Sequence, residues 1–90
     1  MPTPEGLRQA AEWVEHPPIE LRNMALDRFL NVVYGLGQFS IAIICDRSET
    51  PGHTRLWHMH NRQVDRVCAI LRMWAAAGVP KSRRSRYGAG

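Results

Sequence analysis

Cysteine is scarce in this chain, lysine is nearly absent, and no apolar run is long enough to cross a bilayer. Each shortage narrows what the protein can be. Two cysteines, Cys45 and Cys68, in 90 residues make no disulfide framework. Both read as small buried hydrophobes. No uninterrupted apolar stretch approaches the ~20 residues a membrane helix needs. The first apolar residues are broken by Arg8, Glu12 and Glu15, which does not resemble a signal peptide. The expectation is a cytoplasmic protein with no membrane partner. There is no Cys-x-x-Cys pair and no glycine-rich phosphate loop.

Lysine occurs once, at Lys81, so all but one of the 12 basic residues are arginine. Phosphate binding would favour that choice, and so would the base composition of the source DNA, the simpler reading. The charges are also unevenly placed. Residues 1–46 hold three arginines against six acids, and residues 47–79 hold five against two. Lys81, Arg83, Arg84 and Arg86 follow in the last ten residues. Opposite signs in the two halves favour their packing on each other or on a second copy.

What is present is helical patterning. Thr3-Pro4-Glu5 reads as a helix start, with an N-cap, a proline at the first helical position and an acid in the first turn. Leu7, Ala10, Ala11 and Val14 follow at helical spacing, and Pro17-Pro18 ends the run. From Ile19 to Cys45, apolar residues recur over more than half of a helical wheel: Leu26, Phe29, Leu30, Val32, Val33, Leu36, Phe39, Ile43 and Ile44. A third run, from about 51 to 77, puts Trp57, His60, Val64, Val67, Leu71 and Trp74 on one seam. Gly78 and Pro80 then supply a stop.

These runs predict an all-α domain over residues 1–79: a short first helix, then a long antiparallel helical hairpin. Residues 80–90 read as a flexible basic tail. The hairpin requires winding to continue past Gly35 and Gly37. It would then face Leu26 with Leu71, Phe29 with Cys68, Val33 with Val64 and Ser40 with Trp57. The alternative is an α+β fold with a β-hairpin at about 38–60, favoured by the β-branched Ile41, Ile43 and Ile44.

Chemistry is thinly represented. Cys45, His53, His58, His60 and Cys68 are zinc-ligand types, but on a helix His58 and His60 diverge. In the hairpin, His53 and His60 would lie in or beside the seam and His58 outside it. No nucleophile, base and orienting group share a local signature. No catalytic residue, metal or cofactor is therefore assigned, and a non-enzymatic role is expected.

The wide apolar surface of the second run exceeds what one partner helix covers. Val32, Leu36, Phe39 and Ile43 are the candidate interface. The expected function is that of a small interaction protein, homo-oligomeric, which binds and inhibits another macromolecule. An alternative is nucleic-acid binding, with Arg55, Arg62, Arg66, Lys81, Arg83, Arg84 and Arg86 as phosphate contacts. Finally, the closing Met73-Trp74-Ala75 resembles small phage proteins that sequester cyclic nucleotides of antiviral signalling. The resemblance implies capture of a small anion or nucleotide between subunits. Asp65–Arg72 stands where that family carries an acidic and lysine-containing run, so no site is carried over.

Overall fold

The structure, a computed structural model, describes residues 2–44 and 53–80, without the side chains of Gln38, Phe39 and Ala42. The first helix, α1, spans Pro4–Glu15. Thr3 caps it as its sequence requires: the Gly6 amide donates to Thr3 Oγ1 at 3.0 Å, and Pro4 opens the first turn. Leu7, Ala10, Ala11 and Val14 form its buried face. The last helix, α4, spans Asn61–Ala77 and buries Val67, Cys68, Leu71, Trp74 and Ala75. Gly78 ends it at φ 94, a left-handed angle that glycine adopts without steric cost.

These two helices form the main pair of the fold, and they run antiparallel. Leu7 and Trp74 meet at one end, while Val14 and Val64 line a common groove at the other. Midway, the Cys68 thiol donates to the Ala11 carbonyl at 3.1 Å. The two alanines of α1, both wholly buried, allow this close approach.

Between them the chain forms α2 over Leu26–Arg28, which widens into a π-wound turn over Phe29–Val33. Then comes α3 over Gln38–Ile44. The all-α class read from the sequence is what the structure shows. Among the described residues there is no strand, only an isolated bridge between Ala25 and Arg55. The described parts of 38–60 include α3 and a 3-10 turn at Leu56–His58, not a β-hairpin.

Continuous winding past the glycines is not found. Gly35 takes φ 72, and the Gly35 and Leu36 amides close the preceding turn on Asn31 and Leu30. The physical reason lies in the neighbours. Tyr34 packs edge-on to Phe29 at 5.3 Å and against Trp13 of α1 at 6.1 Å. The Tyr34 ring lies against the start of α1, where a Cβ at Gly6 would meet it at an ordinary contact distance of 3.6 Å. The break then turns Leu36 inward, where it is 2% exposed. A straight rod would have left one side of so wide an apolar surface in water.

Helix α4 also starts later than its seam implied. His60 is its N-cap, and the His60 amide donates to Gln63 Oε1 at 3.1 Å in a capping box. Residues 45–52, including Cys45, lie outside the described residues, as do 81–90. The partner lying along α4 is α1, with a smaller contact from α3, so the facing pairs expected between the second and third runs give way to those with α1. Core residues from Leu7 to Ala75 nevertheless make one cluster.

Candidate functional site

The site begins with backbone pairing. The Leu26 amide donates to the Thr54 carbonyl at 3.0 Å, and the Leu56 amide to the Met24 carbonyl at 3.1 Å. Arg55 Nη1 reaches the Asn23 carbonyl at 2.8 Å. These bonds fix the short 3-10 turn Leu56–His58 against residues 22–26. Successive side chains of such a turn point about 120° apart. Leu56 is driven into the core, and Trp57 is therefore turned outward.

Trp57 is 51% exposed, yet it is held firmly. Its Nε1 donates to Asn23 Oδ1 at 2.8 Å, and its amide to the Arg22 carbonyl at 3.2 Å. The His58 ring lies 4.4 Å away, and the Arg22 guanidinium sits 5.9 Å over the indole. The seam position expected for Trp57 is thus corrected: it belongs to the surface, because the 3-10 turn replaces helix there. His60, expected in or beside the seam, is exposed at the head of α4.

Trp57 forms one wall of an open groove of about 700 Å³. The groove lies where the end of α1 meets the start of α4. Val14, Leu56, Met59 and Val64 give it an apolar lining, and Glu15, His16, Arg22 and Asp65 supply charge and hydrogen-bonding groups. Glu15 also receives a bond from Arg72 Nη2 at 3.0 Å, across the α1–α4 junction. The last turn of α1 carries Glu12 and Glu15 and no base, so carboxylates add to the negative end of the helix dipole.

The candidate interface residues separate. Val32 is 70% exposed and Val33 39%, and they form a small apolar surface on the π-wound turn. Leu36 lies in the core and presents nothing to a partner, and Ile43 is half-buried against that core. The Phe39 side chain lies outside the described residues.

The candidate phosphate contacts also separate. Arg62 and Arg66 share an exposed side of α4, one turn apart. Arg55 lies before α4 begins and is directed to the Asn23 carbonyl, so it does not continue their row. Lys81, Arg83, Arg84 and Arg86 lie outside the described residues. Of Met73-Trp74-Ala75, the tryptophan and alanine are spent on packing, and only Met73 is exposed.

Among the described residues, no three His, Cys, Asp or Glu side chains gather as metal ligands would. The Cys68 thiol is pushed up to about 11 by burial, which leaves it protonated and unreactive near neutrality. No described helix is long and apolar enough to cross a membrane. The sequence signal for Trp57 was present but ambiguous: an apolar residue at a helical spacing is outward-facing only once the helix start is known. Comparison with protein-family models, curated proteins and solved structures gives no match.

Proposed function

We propose that this chain is a non-enzymatic binding protein that engages another protein through the Trp57 groove. The observation that carries the reading is a half-exposed indole fixed by a side-chain bond to Asn23 and a backbone bond to Arg22. An exposed tryptophan is costly to solvate, and one already immobilised loses little entropy on binding. The apolar groove lining beside it would receive a partner side chain. Blocking that partner surface is how such a chain would inhibit. Val32 and Val33 provide a second apolar surface, on which homo-oligomerisation would rest.

The nucleic-acid reading draws on fewer described groups than expected, because Arg55 is not in line with Arg62 and Arg66. The nucleotide-capture reading loses its motif, because Trp74 and Ala75 are packed inside.

The test is capture of a protein partner from the source cell extract by the parent chain and by Trp57→Ala, with thermal unfolding measured in parallel. Loss of the partner with little change in stability is expected. Equal capture by both chains refutes the groove as the contact. Light scattering on the parent and on Val32→Asp tests the oligomer. A monomer for the parent at tens of micromolar refutes it.

A further inference from the structure

Two apolar surfaces of this chain face water, and they differ in shape. One is the groove walled by Trp57, a hollow of about 700 Å³. The other is the pair Val32 and Val33, 70% and 39% exposed on the π-wound turn. None of the described residues of 26–44 lines the groove, so one chain offers both surfaces at once.

The valines are outside for a reason of winding. Leu26, Phe29 and Leu30 are wholly buried. At about 100° per residue, regular α-winding would set Val33 within about 20° of Leu26, on that same face. The π-wound turn over Phe29–Val33 fits more residues into each turn and carries Val33 off it. Widened turns of this kind are frequent at functional sites. Here the widening exposes two adjacent apolar side chains, which favours a contact that takes them out of water again.

The margins of the two surfaces are complementary in charge. Arg28 stands exposed one turn before Val32, beside Asp27, whose Oδ1 accepts from the Arg28 amide at 2.7 Å. The groove carries Asp65, exposed on α4, and Arg22, whose guanidinium lies over Trp57. Glu15, the other acid of the lining, is held by Arg72. Each margin thus presents an acid and a base. A second copy supplies this match at every contact, because each chain carries both halves.

We propose that Val32 and Val33 of one copy seat in the Trp57 groove of the next. Arg28 of the first copy is then set against Asp65 of the second, and Asp27 offsets Arg22. The contact is head-to-tail: two different surfaces meet, so assembly runs on unless a ring closes. A different protein that binds the groove competes with this self-contact. The proposal rests on the groove being a binding surface, and it gives that surface a first occupant, the chain itself.

The experiment is light scattering after size exclusion, on the full chain over a concentration series. Val32→Asp lacks the valine half and Trp57→Ala the groove half, and each alone runs as a monomer. Mixed in equal amounts they give a 1:1 dimer and nothing larger, because the valines of the Trp57→Ala chain enter the groove of the Val32→Asp chain. Arg28→Asp and Asp65→Arg form a second pair that leaves every apolar contact in place. Each alone weakens assembly several-fold, and their mixture restores it. Circular dichroism reports whether each chain is folded, and the charge pair decides alone where Trp57→Ala is not.

Three results overturn the proposal. A parent chain that stays monomeric across the series leaves the groove to a different protein, whose capture is tested separately. Assembly by the parent with no association in either mixture removes the head-to-tail contact. Assembly that survives in Trp57→Ala and is lost in Val32→Asp assigns the contact to valine on valine, and leaves the groove reading untouched.

Discussion

Helix α4 and the stretch from Leu26 to Ile44 begin from similar material and end differently. Both are rich in apolar residues at helical spacing, but α4 buries one stripe, Val67, Cys68, Leu71, Trp74 and Ala75, and leaves Met73 outside it. A single neighbour, α1, covers most of that stripe, and α4 runs unbroken for 17 residues. The stretch 26–44 has apolar residues on more than half its circumference. No straight helix in so small a protein can bury that much. The chain instead widens at Phe29–Val33, turns at Gly35 and restarts at Gln38, so that Leu30, Leu36, Ile41 and Ile44 all reach one core. A broad apolar surface therefore predicts burial well and helix continuity poorly.

The comparison can be broken most severely at the core shared by both regions. Phe29 is wholly buried beneath Tyr34. Phe29→Ala should cost about 3–5 kcal/mol, from lost burial and the cavity left behind, as read by urea unfolding. A loss below about 1 kcal/mol would mean that the π-wound turn is not anchored as described.

Alkaline pH probes the other region. The Cys68 thiol is raised by burial from 9.0 to about 11 in the folded chain. Between those values the unfolded chain binds fewer protons than the folded one, so stability falls as pH rises through that window. Below about 9, both states are protonated and the group adds no slope. Tyr34, also raised by burial, pushes in the same direction at the upper end. Urea midpoints across the window should fall in the parent chain and less steeply in Cys68→Ala. Equal slopes would remove the thiol from the account.

The glycine pair sharpens the contrast directly. Gly35→Ala should destabilise by about 1 kcal/mol, because φ 72 is unfavourable for any side chain. Gly37 has no positive φ, and an added Cβ would meet nothing within 4 Å. Gly37→Ala should be neutral or stabilise by up to about 1 kcal/mol, through the unfolded state. If both alanines stabilised alike, the break between α2 and α3 would be absent in solution. The smallest expected effect is at the α1–α4 surface. Arg72→Gln removes a solvent-exposed pair with Glu15 and should cost about 0.5 kcal/mol or less, diminishing with salt.

Much of the fold could be read before any coordinates. Thr3-Pro4 started α1 where its side-chain chemistry said, Gly78 stopped α4, and the seam from Val67 to Ala75 is buried as spaced. The partner of that seam could not be read. Periodicity says which face of a helix is buried but is silent on which element covers it, and two small alanines in α1 won that place. The site was less legible still. Arg55 and Trp57 sat at helical spacings with Arg62 and Val64, and only the late start at His60 removes them from the helix.

The sequence by itself determined the helical class, the Thr3 cap that starts α1, the Gly78 stop that ends α4 and most of the core, because these follow from side-chain chemistry within a few residues. Tertiary structure alone decided the break at Gly35, the pairing of α1 with α4 and the outward turn of Trp57. Each depends on contacts between residues far apart in the chain: Tyr34 on Gly6 and Trp13, Cys68 on Ala11, and Trp57 on Asn23.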